Sequence, residues 1–292
     1  MSTLPATLDR TIPLGALWTS FQLTFRGLLQ WKRLALLFLI SLVPLIGVVV
    51  FRWVGSHNPH LHVTVAEYFK FEFIAVLAYY SSVVAPITIL LLATGMIRDE
   101  QENQTLTYLL MCPIPRWALY LSKLLAALLV GWLITISCMA LVMFCLWNGA
   151  TPDASTTWFS RWVALLPATA LLVAANAGLF GLLSVLFRPS LIIGVIYIAL
   201  FEGFLANYPF VLRKFTSVHY FQCIVCNWIG KDYEVQEQFG KSNAIEWAIM
   251  HEVLPDVQES VIILLSIFLV STLLAMYVFT TREFRMKTPE GN

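Results

Sequence analysis

Apolar residues fall in six runs, at about 34–54, 73–97, 117–146, 162–187, 191–209 and 259–280, separated by polar stretches. A bilayer core of ~30 Å needs about 20 apolar residues in helical conformation. Each run therefore predicts a membrane-spanning helix. The 117–146 run is longer than needed, which predicts a tilt or an extension beyond the membrane. Pro44 falls inside the first run and Pro86 inside the second. Proline removes one ladder donor, so Pro44 predicts a kink. Before the first span, residues 14–32 place Leu14, Leu17, Trp18, Phe21, Phe25, Leu28 and Leu29 on one helical face. Arg26 and Lys32 accompany that face, the pattern of a helix lying in the membrane interface. Residues 1–13 read as a polar lead-in, 147–161 as a short loop, and 210–257 as the one sizeable non-membrane region. The expected fold is all-α: a single polytopic membrane domain over 1–292 with six spans and an N-terminal interfacial helix.

Composition agrees with this. Hydrophobic residues make up 59% and charged residues 12%, where about half apolar is ordinary for a soluble domain. The net charge of +1 gives no basis for a nucleic-acid partner, but its distribution orients the chain. One side would hold the N-terminus, 98–116, the turn at Arg188 and the C-terminus. That side carries eleven basic and six acidic residues, a balance of +5. The other side carries seven basic and ten acidic residues, a balance of −3. Lys and Arg concentrate in cytoplasmic loops, so both termini are expected inside and 210–257 outside, in the cell inner (plasma) membrane.

The stretch 96–123 then lies on the cytoplasmic side. It opens with Asp99, Glu100 and Glu102 and continues with Leu106, Leu109 and Leu110 at helical spacing. Pro113 and Pro115 end the run, because proline lacks the amide donor and disfavours helix in the residue before it. Arg116 and Lys123 flank the next apolar run. The pattern predicts a short surface helix held between two spans.

This segment resembles the permease subunits of type-2 ATP-binding-cassette (ABC) exporters. They join the second and third spans by an acidic stretch followed by Thr-Leu-x-x-Leu-Leu-x-x-Pro-x-x-Arg, ending in a lysine. The matching residues here are Asp99, Glu100, Glu102, Thr105, Leu106, Leu109, Leu110, Pro113, Arg116 and Lys123. Gln104 stands where the family usually has glycine. The stretch 201–209 with Ser217, Val218, His219 and Tyr220 also resembles the family's fifth-span exit, after which a short re-entrant helical turn is implied. The resemblance further implies an elbow helix at 14–32 and docking of 98–116, as a coupling helix, on a separate ATPase subunit. It also implies a dimer of permease subunits, identical or related.

Candidate chemistry is sparse. No Gly-x-x-x-x-Gly-Lys-Ser/Thr phosphate loop occurs, so ATP is expected to bind the partner, and this chain to carry no cofactor and no catalytic set of its own. Glu202 lies about 18 Å into the fifth span at 1.5 Å per residue. A carboxylate there must face protein or water, as a contact to substrate or a moving helix, or as a hydrogen-bonded packing residue at the dimer seam. Asn176, in mid-span, is expected to bond to another helix, and Ala170, Ala174 and Gly178 allow close helix approach. Cys223 and Cys226 read as packing residues on an apolar helix, with a disulfide or metal pair as alternatives. His57, His60 and His62 read as solvated loop residues. Two functions fit these features. One is an ABC permease that moves a substrate, most simply outward. The other is a scaffold whose 210–257 region acts on an extracytoplasmic partner, as in metalloenzyme maturation. The near absence of ionisable groups in the spans favours an amphipathic or lipid-like cargo.

Overall fold

The computed structural model describes residues 14–57, 68, 71–102, 115–148, 154–187, 189–204, 211–232 and 255–281. Every regular element among the described residues is helical. In chain order they are α1 (Leu14–Leu28), α2 (Trp31–His57), a π-helical segment Phe73–Val84 leading into α3 (Ala85–Glu102), and α4 (Arg116–Trp147). Then come α5 (Ala154–Leu186), α6 (Ser190–Tyr197) continuing as a π-helical segment Ile198–Phe204, a 3-10 turn Val211–Phe215, α7 (Ser217–Asp232) and α8 (Val257–Thr281).

Among the described residues, five helical stretches are long and apolar enough to cross a membrane: Arg33–His57, Tyr79–Met96, Arg116–Trp147, Phe159–Leu186 and Val257–Thr281. They coincide with five of the expected spans. In place of the span expected at 191–209 stands the shorter apolar helix Ser190–Phe204. Its length is ~22 Å at an α-helical rise, short of a ~30 Å hydrocarbon core. Residues 205–210 lie outside the described residues.

One expected boundary is overturned. The loop at 147–161 is largely helix, because α5 begins at Ala154. Hydropathy ends the apolar run at Arg161, but a helix requires only its backbone bonds, and Arg161 finds a buried acidic partner. Within the region after 210, α7 is the apolar helix expected around Cys223 and Cys226, with Val218, Phe221, Ile224 and Val225 buried.

Proline chemistry explains two local features. α2 continues through Pro44, whose missing N–H leaves the Ile40 carbonyl without its usual donor four residues on. Tyr79 fills that place, its hydroxyl donating to Ile40 O at 3.1 Å. Tyr80 donates to the adjacent Ser41 O at 3.3 Å. Away from water such carbonyls need a protein donor, so these bonds tie the Phe73–Val84 segment to α2. That segment ends two residues before Pro86, where the Ala85 N–H donates to Tyr80 O in the wider π register. The wider turn falls where the ladder must lose a rung to proline.

The core has two layers along the bundle. One holds Val48, Tyr80, Met143, Leu172 and Phe221. The other holds Leu28, Leu37, Ile89, Leu124, Phe180 and Phe279. α7 contributes to the first layer and α1 to the second. These two non-spanning helices therefore sit at opposite ends. α1 docks on α4 through its small polar face: Ser20 and Thr24 are buried with Leu28, and Ser20 Oγ lies 3.2 Å from Ser122 Oγ. Trp18 and Leu23 remain exposed.

α5 meets α8 closely at Gly178. A Cβ on Gly178 would lie 3.1 Å from the Phe268 carbonyl oxygen and 3.3 Å from Phe268 Cα. Those are backbone atoms and cannot rotate away. Gly178→Leu is expected to force α5 from α8 and cost about 1–3 kcal/mol, with Gly178→Ala intermediate. Thermal unfolding in detergent reads the effect, and an unchanged midpoint for the leucine variant would contradict this packing.

Candidate functional site

Glu202 sits in the Ile198–Phe204 segment and is 0% exposed. Its carboxylate faces the start of α7. Ser217 N–H donates to Oε1 at 3.4 Å and Val218 N–H donates to Oε2 at 3.1 Å. The Ser217 hydroxyl donates to Oε1 at 2.8 Å and the Tyr197 hydroxyl to the same oxygen at 3.3 Å. The third amide of the helix, His219 N–H, donates to Thr216 Oγ1 at 3.4 Å. The first turn of a helix leaves amides without intrahelical partners. Here Glu202, from another element, and Thr216 satisfy the first three. The partial positive charge of the helix N-terminus further favours a carboxylate there.

Asn176, on α5, is also 0% exposed. Its Oδ1 lies 3.0 Å from Ser217 Oγ, while its Nδ2 has no hydrogen-bond partner among the described residues. One serine proton cannot serve both Asn176 and Glu202. Amide oxygen and nitrogen are alike in shape, and exchanging them lets Asn176 donate to Ser217 Oγ while Ser217 donates to Glu202. α5, α6 and α7 are then joined by one directional chain. Sequence reasoning singled out Glu202 and Asn176 separately, and Ser217 is the residue that connects them.

A second buried carboxylate was not foreseen as a site. Glu72 Oε2 lies 2.6 Å from Arg161 Nη1 and accepts from Trp147 Nε1 at 2.7 Å. The Arg161 guanidinium carbon stands 4.4 Å above the Trp147 ring, a cation–π contact. The three residues join the start of the second span, the end of α4 and the early part of α5. The signal in sequence was an acid and a base each at the mouth of an apolar run. Both carboxylates are hydrogen-bonded and enclosed, so the arrangement couples helices rather than exposing a reactive oxygen.

On α7, Cys223 and Cys226 are not bridged to each other. Cys223 Sγ lies 3.8 Å from His219 Nε2. Burial first, and then the Arg213 and Lys214 charges, push His219 down to about 4. Burial, with a smaller contribution from Cys223, pushes the Cys226 thiol up to about 12. A neutral imidazole and a protonated thiol describe packed side chains at neutral pH. His57 is exposed beside Trp53. His60 and His62 lie outside the described residues. No group of three or more potential metal ligands occurs among the described residues.

Of the expected docking residues, Glu100 and Glu102 lie on the final turns of α3, and Thr105, Leu106, Leu109, Leu110 and Pro113 lie outside the described residues. Arg116 opens α4, is exposed, and its Nη1 is 3.4 Å from the Thr280 carbonyl oxygen at the end of α8. A cation at a helix C-terminus is favourably placed.

A comparison with curated proteins gives no match. A family model described as ABC-2 family transporter protein matches residues 28–206, more than half of the chain. That match runs from the end of α1 to the Glu202 segment, and takes in the 98–116 stretch, the small-residue face of α5 and both buried carboxylates. The chain belongs to the ABC-2 family of transporter proteins, as a membrane-spanning permease subunit of an ABC transporter.

Proposed function

We propose that this permease exports its substrate and is driven by a separate ATPase subunit docked on residues 98–116. The observation that carries the reading is the family match over 28–206, which contains that stretch. The +5 against −3 charge balance supports cytoplasmic termini and a cytoplasmic 98–116 segment. The opposite placement of α1 and α7 along the bundle suits an interfacial elbow inside and the 210–257 region outside. The pathway lies between two permease subunits, and ATP is bound by the partner. Leu106, Leu109 and Arg116 carry the docking, with Glu100, Glu102, Thr105, Leu110 and Pro113 shaping the coupling helix.

The mechanism is mechanical. ATP drives the permease only if its partner binds two permease states with different affinity. A push on the coupling helix reaches the start of α4 and, through Arg116, the end of α8. α8 packs along α5, and α5 is tied to α7 through Asn176, Ser217 and Glu202.

The test is purification from native membranes in mild detergent, with mass spectrometry of co-eluting proteins. A stoichiometric partner bearing a phosphate-loop lysine is the expected result. Leu106→Glu is expected to weaken its association about thirtyfold, the loss of one interface residue worth ~2 kcal/mol. Unchanged association and unchanged stimulated ATP turnover in that variant would move the docking elsewhere.

A further inference from the structure

A groove of about 730 Å³ lies between α2 and α4. That is within the ~300–1,000 Å³ of small-molecule sites. Along α2 it extends from Trp31 through Phe38 and Leu42 to Leu45, and its other wall includes Ser137 and Cys138 of α4. Two hydroxyls line it, and each is bonded to its own helix. Ser41 Oγ donates to Phe38 O at 2.8 Å and Ser137 Oγ to Leu133 O at 2.6 Å. Water needs two to four polar partners, and with both hydroxyl protons spent a lining this rich in aliphatic and aromatic side chains offers few. A void of this size left empty would forfeit the dispersion contacts of its lining.

The surroundings identify what fills it. Only 22% of the most apolar stretch of α2 is buried within the protein, so the groove opens where α2 meets the bilayer. Its length along α2 is ~21 Å at 1.5 Å per residue, close to one leaflet of a ~30 Å core plus its interfacial zone. Trp31, 82% exposed, stands at the mouth, the position an indole takes at headgroup level. We propose that the α2–α4 groove holds one acyl chain of a bilayer phospholipid, from the leaflet in which α2 begins, as a resident lipid between these helices. This rests on membrane insertion of the five apolar helices and not on export or on the ATPase.

The test uses the full chain in vesicles of phosphatidylethanolamine and phosphatidylglycerol with a trace of phospholipid bearing a diazirine midway along one acyl chain. After illumination, adducts are mapped by mass spectrometry. Adducts on 38–45 and 133–141 are expected to exceed those on the lipid-exposed α8 face, 262–274, about tenfold, equivalent to ~1.4 kcal/mol of preference. Leu42→Trp and, from the other wall, Ser137→Leu fill the groove. Each is expected to bring its adducts down to the α8 level while leaving the α8 adducts and the unfolding midpoint unchanged. Equal labelling of groove and α8 in the parent chain would overturn the site. So would undiminished groove labelling in both variants, or labelling by a diazirine fatty acid but not by the phospholipid. Cross-linking of Leu39→Cys to a second copy across the groove would replace the lipid with a subunit interface.

Discussion

Glu202→Ala is expected to release the N-terminal turn of α7 and expose Cys223 and Cys226. The substitution strips the Ser217 and Val218 amides of their acceptor and leaves the Tyr197 hydroxyl without its own, all in a buried setting, while the Ser217 hydroxyl is left with Asn176 alone. Loss of a helix cap alone costs about 0.5–2 kcal/mol, and a hydrogen bond to a charged group contributes about 1.5–3 kcal/mol. A combined loss of ~3 kcal/mol raises the population of the opened helix about a hundredfold. Both thiols belong to α7 and are not bridged to each other, with Cys223 buried, so their alkylation by a maleimide, mapped by mass spectrometry, reports the opening. Glu202→Gln keeps an acceptor for Ser217 but presents an NH2 to the Val218 amide, and should fall between. Asn176→Leu removes only the outer member of the chain and should have the smallest effect. Parent-like labelling in the alanine variant would show that α7 is held by its apolar contacts alone, and would remove Glu202 from the proposed mechanical path.

Arg161→Leu is expected to destabilise the whole domain. Among the described residues it leaves the enclosed Glu72 carboxylate with the Trp147 donor alone. Breaking one side of a buried ion pair costs about 3–5 kcal/mol, because the remaining charge is uncompensated. The paired replacement Glu72→Leu with Arg161→Leu removes both charges, and such exchanges are often near neutral. Thermal unfolding of the single and double variants in detergent forms a double-mutant cycle. The expected pattern is a large loss in each single variant and recovery in the double. Additive losses would mean the two residues act through separate neighbours, despite their 2.6 Å contact.

The spans were legible because lipid leaves the chain little choice. Every backbone polar group must bond within its own helix, so long apolar runs become helices of matching length. The expected 117–146 and 259–280 runs appear as Arg116–Trp147 and Val257–Thr281. The Gly178 contact with α8 was legible for a related reason, since small residues at four-residue intervals mark where helices approach closely. Charge was a poorer guide to boundaries. Arg161 seemed to end a span, yet α5 continues two turns before it. Its partner Glu72 lies 89 residues away in sequence, and nothing local announces that pairing. α1 shows the same limit. Its apolar stripe was readable, but Ser20 and Thr24 are buried alongside Leu28 of that stripe, while Trp18 of the same stripe points outward. In lipid the apolar face need not be the protein-facing one, because close packing rather than hydrophobicity selects the contact.

The sequence by itself determined the all-helical class, five of the spanning helices and the resemblance to ABC permeases, since each depends on local composition and spacing. Tertiary structure alone decided what the buried polar groups do. It set Tyr79 on the carbonyl that Pro44 leaves open, Arg161 on Glu72, and Ser217 between Asn176 and Glu202. Each of those pairings satisfies a polar group away from water, and its partner is fixed by where helices cross in space, which no single stretch of sequence contains.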